Sequence, residues 1–233
     1  MRRVSLVGLA TIAIAVTAGE AIGQDLVPVR RNVVGIGAAF MQPTGEFGQF
    51  VSWGGGLNVS FLAGLPPEGI LGFRVEGSGL WYGHEHYDVW VGPRVPDATF
   101  RVNTDNFIAT LGVGPQLTLG HGPFRPYGYG LAGVSYFATT SSVEDGWGDE
   151  WDSETNFDDA AFALSAGGGF LVQFGGRSHP LFLDVGAHWT HNGQTTYLRE
   201  GSIIEYPNGS MAIVPIRSEA NHWTFRFGVA VGI

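Results

Sequence analysis

Neither cysteine nor lysine occurs among the 233 residues. Without thiols, a disulfide framework, a thiolate metal site and a thiol nucleophile are all excluded. The same lack is compatible with an oxidising envelope compartment. Only 14% of residues are charged, few for a water-soluble domain of this length, and 12 arginines face 21 Asp and Glu. That acidic balance argues against nucleic-acid binding. Heptads are missing, which argues against a helical bundle. No apolar run reaches the ~20 residues that a membrane-spanning helix needs. What is abundant is glycine, 37 residues, and aromatics at 13%, a composition suited to closely packed strands with aromatic faces.

The first residues read as an export signal. Met1-Arg2-Arg3 is basic, Val4 to Ala18 is apolar and uncharged, and Ala21-Ile22-Gly23 places small residues before a cut at Gln24. Residues 1–23 are therefore expected to be a signal peptide, and 24–233 a single domain. Cleavage removes Arg2, Arg3 and Glu20 from the 12 basic and 21 acidic residues, leaving 10 and 20, a net charge of −10.

After a leader ending at Arg31, eight segments alternate with the period of two that marks β-strands. In the first, Val34, Ile36, Ala38 and Phe40 oppose Gly35, Gly37 and Ala39. The second runs from Trp53 with Leu57, Val59, Phe61, Ala63 and Leu65 on one side. The third sets Leu71, Phe73, Val75 and Trp81 against Arg74, Glu76 and Ser78. The fourth sets Phe107, Ala109, Leu111, Val113 and Leu117 against Thr110, Gly112, Gly114 and Gln116. The sixth sets Phe162, Leu164, Ala166, Phe170, Val172 and Phe174 against Ser165, Gly167, Gly169 and Gln173. In the seventh, Leu181, Leu183, Val185, Ala187 and Trp189 oppose Asp184, Gly186, His188 and Thr190. The last sets Trp223, Phe225, Phe227, Val229, Val231 and Ile233 against Thr224, Arg226, Gly228 and Gly232. The fifth, Pro126 to Ala138, mixes glycine and aromatics on both faces; Tyr127, Tyr129, Leu131 and Phe137 are read as its outward set.

The apolar faces carry no charge, whereas Arg74, Glu76, Asp184 and Arg226 share the opposite faces. A charge facing lipid near the bilayer midplane costs about 2–4 kcal/mol, while one facing a lumen can pair or be hydrated. The pattern thus predicts an all-β, eight-stranded antiparallel transmembrane β-barrel with a polar cluster of Arg74, Glu76, Asp184, His188 and Arg226 inside. A soluble lipocalin-type barrel would invert the faces. Connections after strands two, four and six are short, whereas segments of about 43–52, 83–103, 139–159 and 191–220 are long, as extracellular loops of outer-membrane barrels are. Trp53, Trp81, Trp189 and Trp223 fall at the long-loop end of the apolar face, where an aromatic girdle belongs. Within residues 194–218, apolar residues flank Pro207-Asn208-Gly209 and predict a hairpin beyond the membrane.

Pro43-Thr44-Gly45-Glu46-Phe47, Arg125-Pro126-Tyr127 and the alternating aromatic C-terminus resemble the small OmpA/OmpX-like outer-membrane β-barrel family. The resemblance is one of pattern over nearly the whole mature chain. It implies residence in the bacterial outer membrane, contact with outer-membrane lipid and lipopolysaccharide, and recognition of Trp223 to Ile233 by the barrel-assembly machinery. Ile233 stands where the family usually ends in Phe or Trp.

Several clusters could carry chemistry. His84-Glu85-His86 has the alternation that lets two imidazoles meet one ion, but spacing alone reveals no third or fourth ligand. Residues 144–159 hold eight carboxylates, Asp149 and Asp152 among them, which could take calcium yet read better as a solvated loop. His188-Trp189-Thr190-His191 has a histidine near a hydroxyl, as in outer-membrane lipid A deacylases. The threonine, and the inward parity of His188 and Thr190, argue against such an enzyme. The sequence thus predicts a non-enzymatic surface or structural barrel without catalytic residues or cofactor. A narrow pore for small or apolar solutes and a lipid-modifying enzyme are the alternatives, and no extracellular partner is indicated.

Overall fold

Strands whose faces differ in polarity stay in register only if one face is covered by a different medium from the other. That demand is met here by closing the sheet. In the computed structural model, residues 32–66, 70–90, 99–144, 150–176, 179–198, 202–205 and 211–233 are described; the expected signal peptide, the leader, Asp149 and the Pro207-Asn208-Gly209 segment lie outside them. In chain order the strands are β1 (Asn32–Pro43), β2 (Gly54–Gly64), β3 (Leu71–Trp90), β4 (Thr99–Thr118), β5 (Phe124–Glu144), β6 (Glu150–Gly175), β7 (Leu181–Asn192), β8 (Gln194–Tyr197), β9 (Ile203–Glu205), β10 (Met211–Ile213), β11 (Ile216–Glu219) and β12 (His222–Gly232). A single helical turn, α1 (Phe47–Phe50), follows β1.

Eight of the strands form one closed antiparallel barrel in the order β1-β12-β7-β6-β5-β4-β3-β2. The seam joins β1 to β12, with Val33 opposite Gly232 and Gln42 opposite Trp223. Closure leaves the ring no edge, so its backbone groups are paired without water. At the tight β6–β7 turn, Gly176 adopts φ 75°, a left-handed conformation that costs glycine no steric penalty.

Outward positions form an apolar band, with Ile36, Leu57, Leu111, Phe162 and Phe227 each more than half exposed. Inward positions are small, polar or ionic: Ser60, Arg74, Glu76, Gln116, Ser135, His188, Thr190 and Arg226 are buried.

Two sequence expectations are corrected. Tyr127, Tyr129, Leu131 and Phe137 point into the lumen, where all four are buried, while Phe124, Val134 and Tyr136 of β5 are exposed. Glycines on both sides erased the polarity contrast; the decisive partners are lumenal charges from other strands. The segments 83–103 and 139–159 are also largely strand rather than loop. β3 to β6 run 20, 20, 21 and 26 residues, whereas β1, β2, β7 and β12 run 11 or 12. A 12-residue strand spans about 40 Å, enough at the usual tilt for an apolar band of roughly 25 Å. Half the barrel wall therefore rises well beyond the band.

Candidate functional site: a lumenal ionic layer

Residues two apart on a strand share a face, so Arg74 and Glu76 both enter the lumen from β3. Arg74 Nε donates to Glu76 Oε2 at 2.5 Å, and Arg74 Nη1 donates to Gln116 Oε1 on β4 at 3.0 Å. From β12, Arg226 Nη1 donates to the same Glu76 oxygen at 3.1 Å, and Nη2 donates to the Tyr127 hydroxyl at 3.2 Å. Tyr127 in turn donates to Asp184 Oδ1 at 2.5 Å. His188 Nδ1 lies 3.0 Å from the Tyr129 hydroxyl and 3.5 Å from Glu76 Oε1. Both guanidinium groups lie over the Tyr129 ring, 4.7 Å and 5.4 Å from its centroid.

The five residues of the expected polar cluster therefore meet in one layer. Asp184 reaches Arg226 through the Tyr127 hydroxyl. Sequence reasoning missed the tyrosines, because it turned β5 the wrong way, and passed over Gln116. An inward tyrosine supplies a hydroxyl and a ring face to a buried arginine, a signal legible only once the facing strands are known. Two guanidinium groups against Glu76 and Asp184 balance the layer in charge. Among the described residues, Arg74 Nη2 and Arg226 Nε have no hydrogen-bond partner.

Buried apolar clusters lie on both sides of these charges. At the short-turn end, Val33, Leu62, Leu171, Phe182 and Ala230 pack with Tyr127, Tyr129 and Leu131. At the other end, Met41, Leu80, Tyr82, Ile108 and Phe137 pack against Phe47, Val51 and Tyr197 from the connecting segments. The turn of α1 places Phe47 edge-on to Tyr197, 5.0 Å between centroids, and to Tyr82, 5.6 Å. The segment after β7 folds back over the mouth, β8 pairing with β11 and β9 with β10. Its anchor is Asp159 on β6, which accepts the Thr196 and Ala160 N–H groups at 2.7 and 2.8 Å and the Thr195 hydroxyl at 3.2 Å. These bonds, that from Thr196 foremost, hold the Asp159 carboxyl below its ordinary range.

Trp53, Trp81, Trp189 and Trp223 are exposed on the outer face. Trp189 stands opposite Trp223, and Trp81 packs on Phe107 at 5.0 Å. In the histidine–hydroxyl segment, the Thr190 hydroxyl pairs with Ser165 at 2.9 Å, while His188 turns to Tyr129. His191 stacks on Trp189 at the rim. Base and hydroxyl are thus committed to different partners. No three His, Asp or Glu side chains converge on a metal-sized site among the described residues; the side chains of His84, His86 and Asp152 lie outside them.

No family model matches the chain, and no curated protein matches its sequence. Among solved structures, it is similar to the attachment invasion locus protein Ail of Yersinia pestis, at 12% identity over 86% of this chain and 96% of that one, TM-score 0.45. The Neisserial surface protein A aligns at 14% identity over 87% and 97%, TM-score 0.43. The outer membrane protein OprG of Pseudomonas aeruginosa aligns at 14% identity over 86% and 94%, TM-score 0.45.

Proposed function

We propose that the chain is a non-enzymatic barrel of the bacterial outer membrane that presents its raised wall and capping hairpins at the cell surface, for surface interaction or structural support. The observation that carries this reading is the pairing of an apolar outer band with buried inward side chains that form an ionic layer between two apolar clusters. A soluble barrel holding Ile36, Leu57, Leu111 and Phe227 against water would expose far more contiguous apolar surface than monomers tolerate. Acyl chains of outer-membrane lipid and lipopolysaccharide cover the band, and the tryptophans sit where headgroups begin. Short turns face the periplasm and the raised wall faces outward. Delivery follows export of the precursor and insertion by the barrel-assembly machinery.

A conducting role is disfavoured by the stacking of apolar, ionic and apolar layers. Planar-bilayer recordings of the purified protein test this. No reproducible conductance is expected; discrete openings would replace the surface reading with the narrow pore. Catalysis is disfavoured by the separate partners of His188 and Thr190. Cells expressing His188→Ala or Thr190→Ala are expected to keep the lipid A profile of cells expressing the parent protein. Labelling of intact cells through a tag inserted between β3 and β4 is expected to succeed, and labelling only after lysis would reverse the assigned orientation.

A further inference from the structure

Two hollows interrupt the apolar outer band, of about 530 and 430 Å³, within the size range of sites that hold small ligands. The floor of the first is Gly77, Gly79 and Ala109, walled by Leu57 and Leu111 and ending at Tyr136. The floor of the second is Pro115, Gly130 and Ala166, walled by Val113 and Leu164 and ending at Trp189. No charged residue lines either one. Glycine in a strand lets a neighbouring molecule approach the backbone closely, and here it deepens the surface between large outward side chains.

Register sets the direction in which the hollows run. Trp189 pairs with Ala166 and Ala166's other partner is Gly130. Val113 pairs with Ala132 and Gln116 with Tyr129, which puts Pro115 beside Gly130. Pro115 in turn pairs with Phe73, eight residues below Trp81 on β3. Trp189 and Trp81 both belong to the girdle, so a ladder row sinks by eight residues across the four strand steps from β7 to β3. The second hollow follows this row from Trp189 to Pro115, and the first follows the row Tyr136, Ala109, Gly79 and Leu57. Each therefore opens at girdle level, beside a ring with an apolar body and a polar edge. Each sinks by about six residues of strand, roughly 15 Å at the usual tilt, which is one leaflet of a hydrocarbon core about 30 Å thick.

In a bilayer no hydrophobic force favours one apolar partner over another, so a preferred occupant is selected by van der Waals fit. Two uncharged diagonal grooves, one leaflet deep and open at the headgroup level, fit extended acyl chains. From this geometry we infer that the grooves hold two acyl chains of one lipid A molecule of the outer leaflet, with Leu111 and Val134 standing between them. The leaflet follows from the raised wall facing outward, so the inference rests on the membrane reading proposed above.

The test is native mass spectrometry of the mature protein, inserted into vesicles that contain both lipopolysaccharide and phospholipid and then released from detergent. Retention of a single lipopolysaccharide per chain is expected. Gly77→Leu fills the floor of the first groove, where an added Cβ meets nothing closer than 4.0 Å, and Ala166→Leu fills that of the second. Each should abolish retention while the barrel still folds, as heat-modifiable gel migration shows. Val229→Leu, at an exposed outward position on β12 away from both grooves, should retain the lipid like the parent. Loss of the lipid from the parent protein, retention of phospholipid in its place, release of a protein dimer, or retention undiminished in both groove variants would overturn the assignment. Failure of the parent protein to insert into the vesicles would instead refute the membrane reading itself.

Discussion

Replacing Glu76 by glutamine removes the one carboxylate that both lumenal arginines share. Arg74 and Arg226 reach its Oε2 at 2.5 and 3.1 Å, and all three side chains are about 96% buried, at 4% exposure each. Glutamine keeps the volume and one acceptor oxygen but cancels the charge. Removing one partner of a buried ion pair costs about 3–5 kcal/mol, because the other charge stays buried without compensation. Here two charges lose compensation, and only the Asp184 carboxylate, bridged through Tyr127, remains to offset them. A loss of roughly 3–5 kcal/mol is therefore expected, a large part of a typical total of about 5–15 kcal/mol. Urea unfolding and refolding in lipid vesicles, followed by tryptophan fluorescence, measures it. The matching control is Glu219→Gln at the rim, where the His191 contact is 4.0 Å and half-exposed; such pairs contribute under about 1 kcal/mol. If Glu76→Gln costs no more than the rim variant, the ionic layer is not what ties β12 to β3 and the reasoning fails.

Further expectations concern the band, the tyrosines and the cap. Leu111→Arg, at an outward position 63% exposed, should destabilise the protein by about 2–4 kcal/mol in vesicles; a neutral result would mean that this face does not meet lipid. Tyr127→Phe removes the hydroxyl between Arg226 and Asp184 and should cost about 1–3 kcal/mol through the groups left unpaired, read as a shift in the urea midpoint. Folding lowers the Asp159 pKa from an ordinary 3.8. Its bonds to β8 therefore stabilise the cap fully above that pH, and the contribution is lost as pH falls through the lower folded-state value. The Thr196 amide resonance should titrate with a midpoint below 3.8 and become flat over this range in Asp159→Asn; a midpoint at or above 3.8 would mean that the anchor bonds are not formed.

The amino-acid sequence alone determined the barrel wall wherever its two faces differ in polarity. Leu, Val and Phe alternating with Arg74, Glu76, Asp184 and Arg226 report that one side meets hydrocarbon and the other a tube, and period-two geometry needs no partner strand to be read. Where that contrast vanishes, only tertiary structure decided. The facing of β5 depended on arginines brought from β3 and β12, since tyrosine suits a lipid boundary and a polar lumen equally well. Beyond the band, His84 to Asp88 and Ser141 to Asp158 show no alternation of apolar and polar residues, so nothing local distinguished the raised strands from loops. Cross-strand register, set by closure of the ring, placed Glu76 against Arg226. Alternation is a local response to solvent, whereas register is a property of the closed sheet.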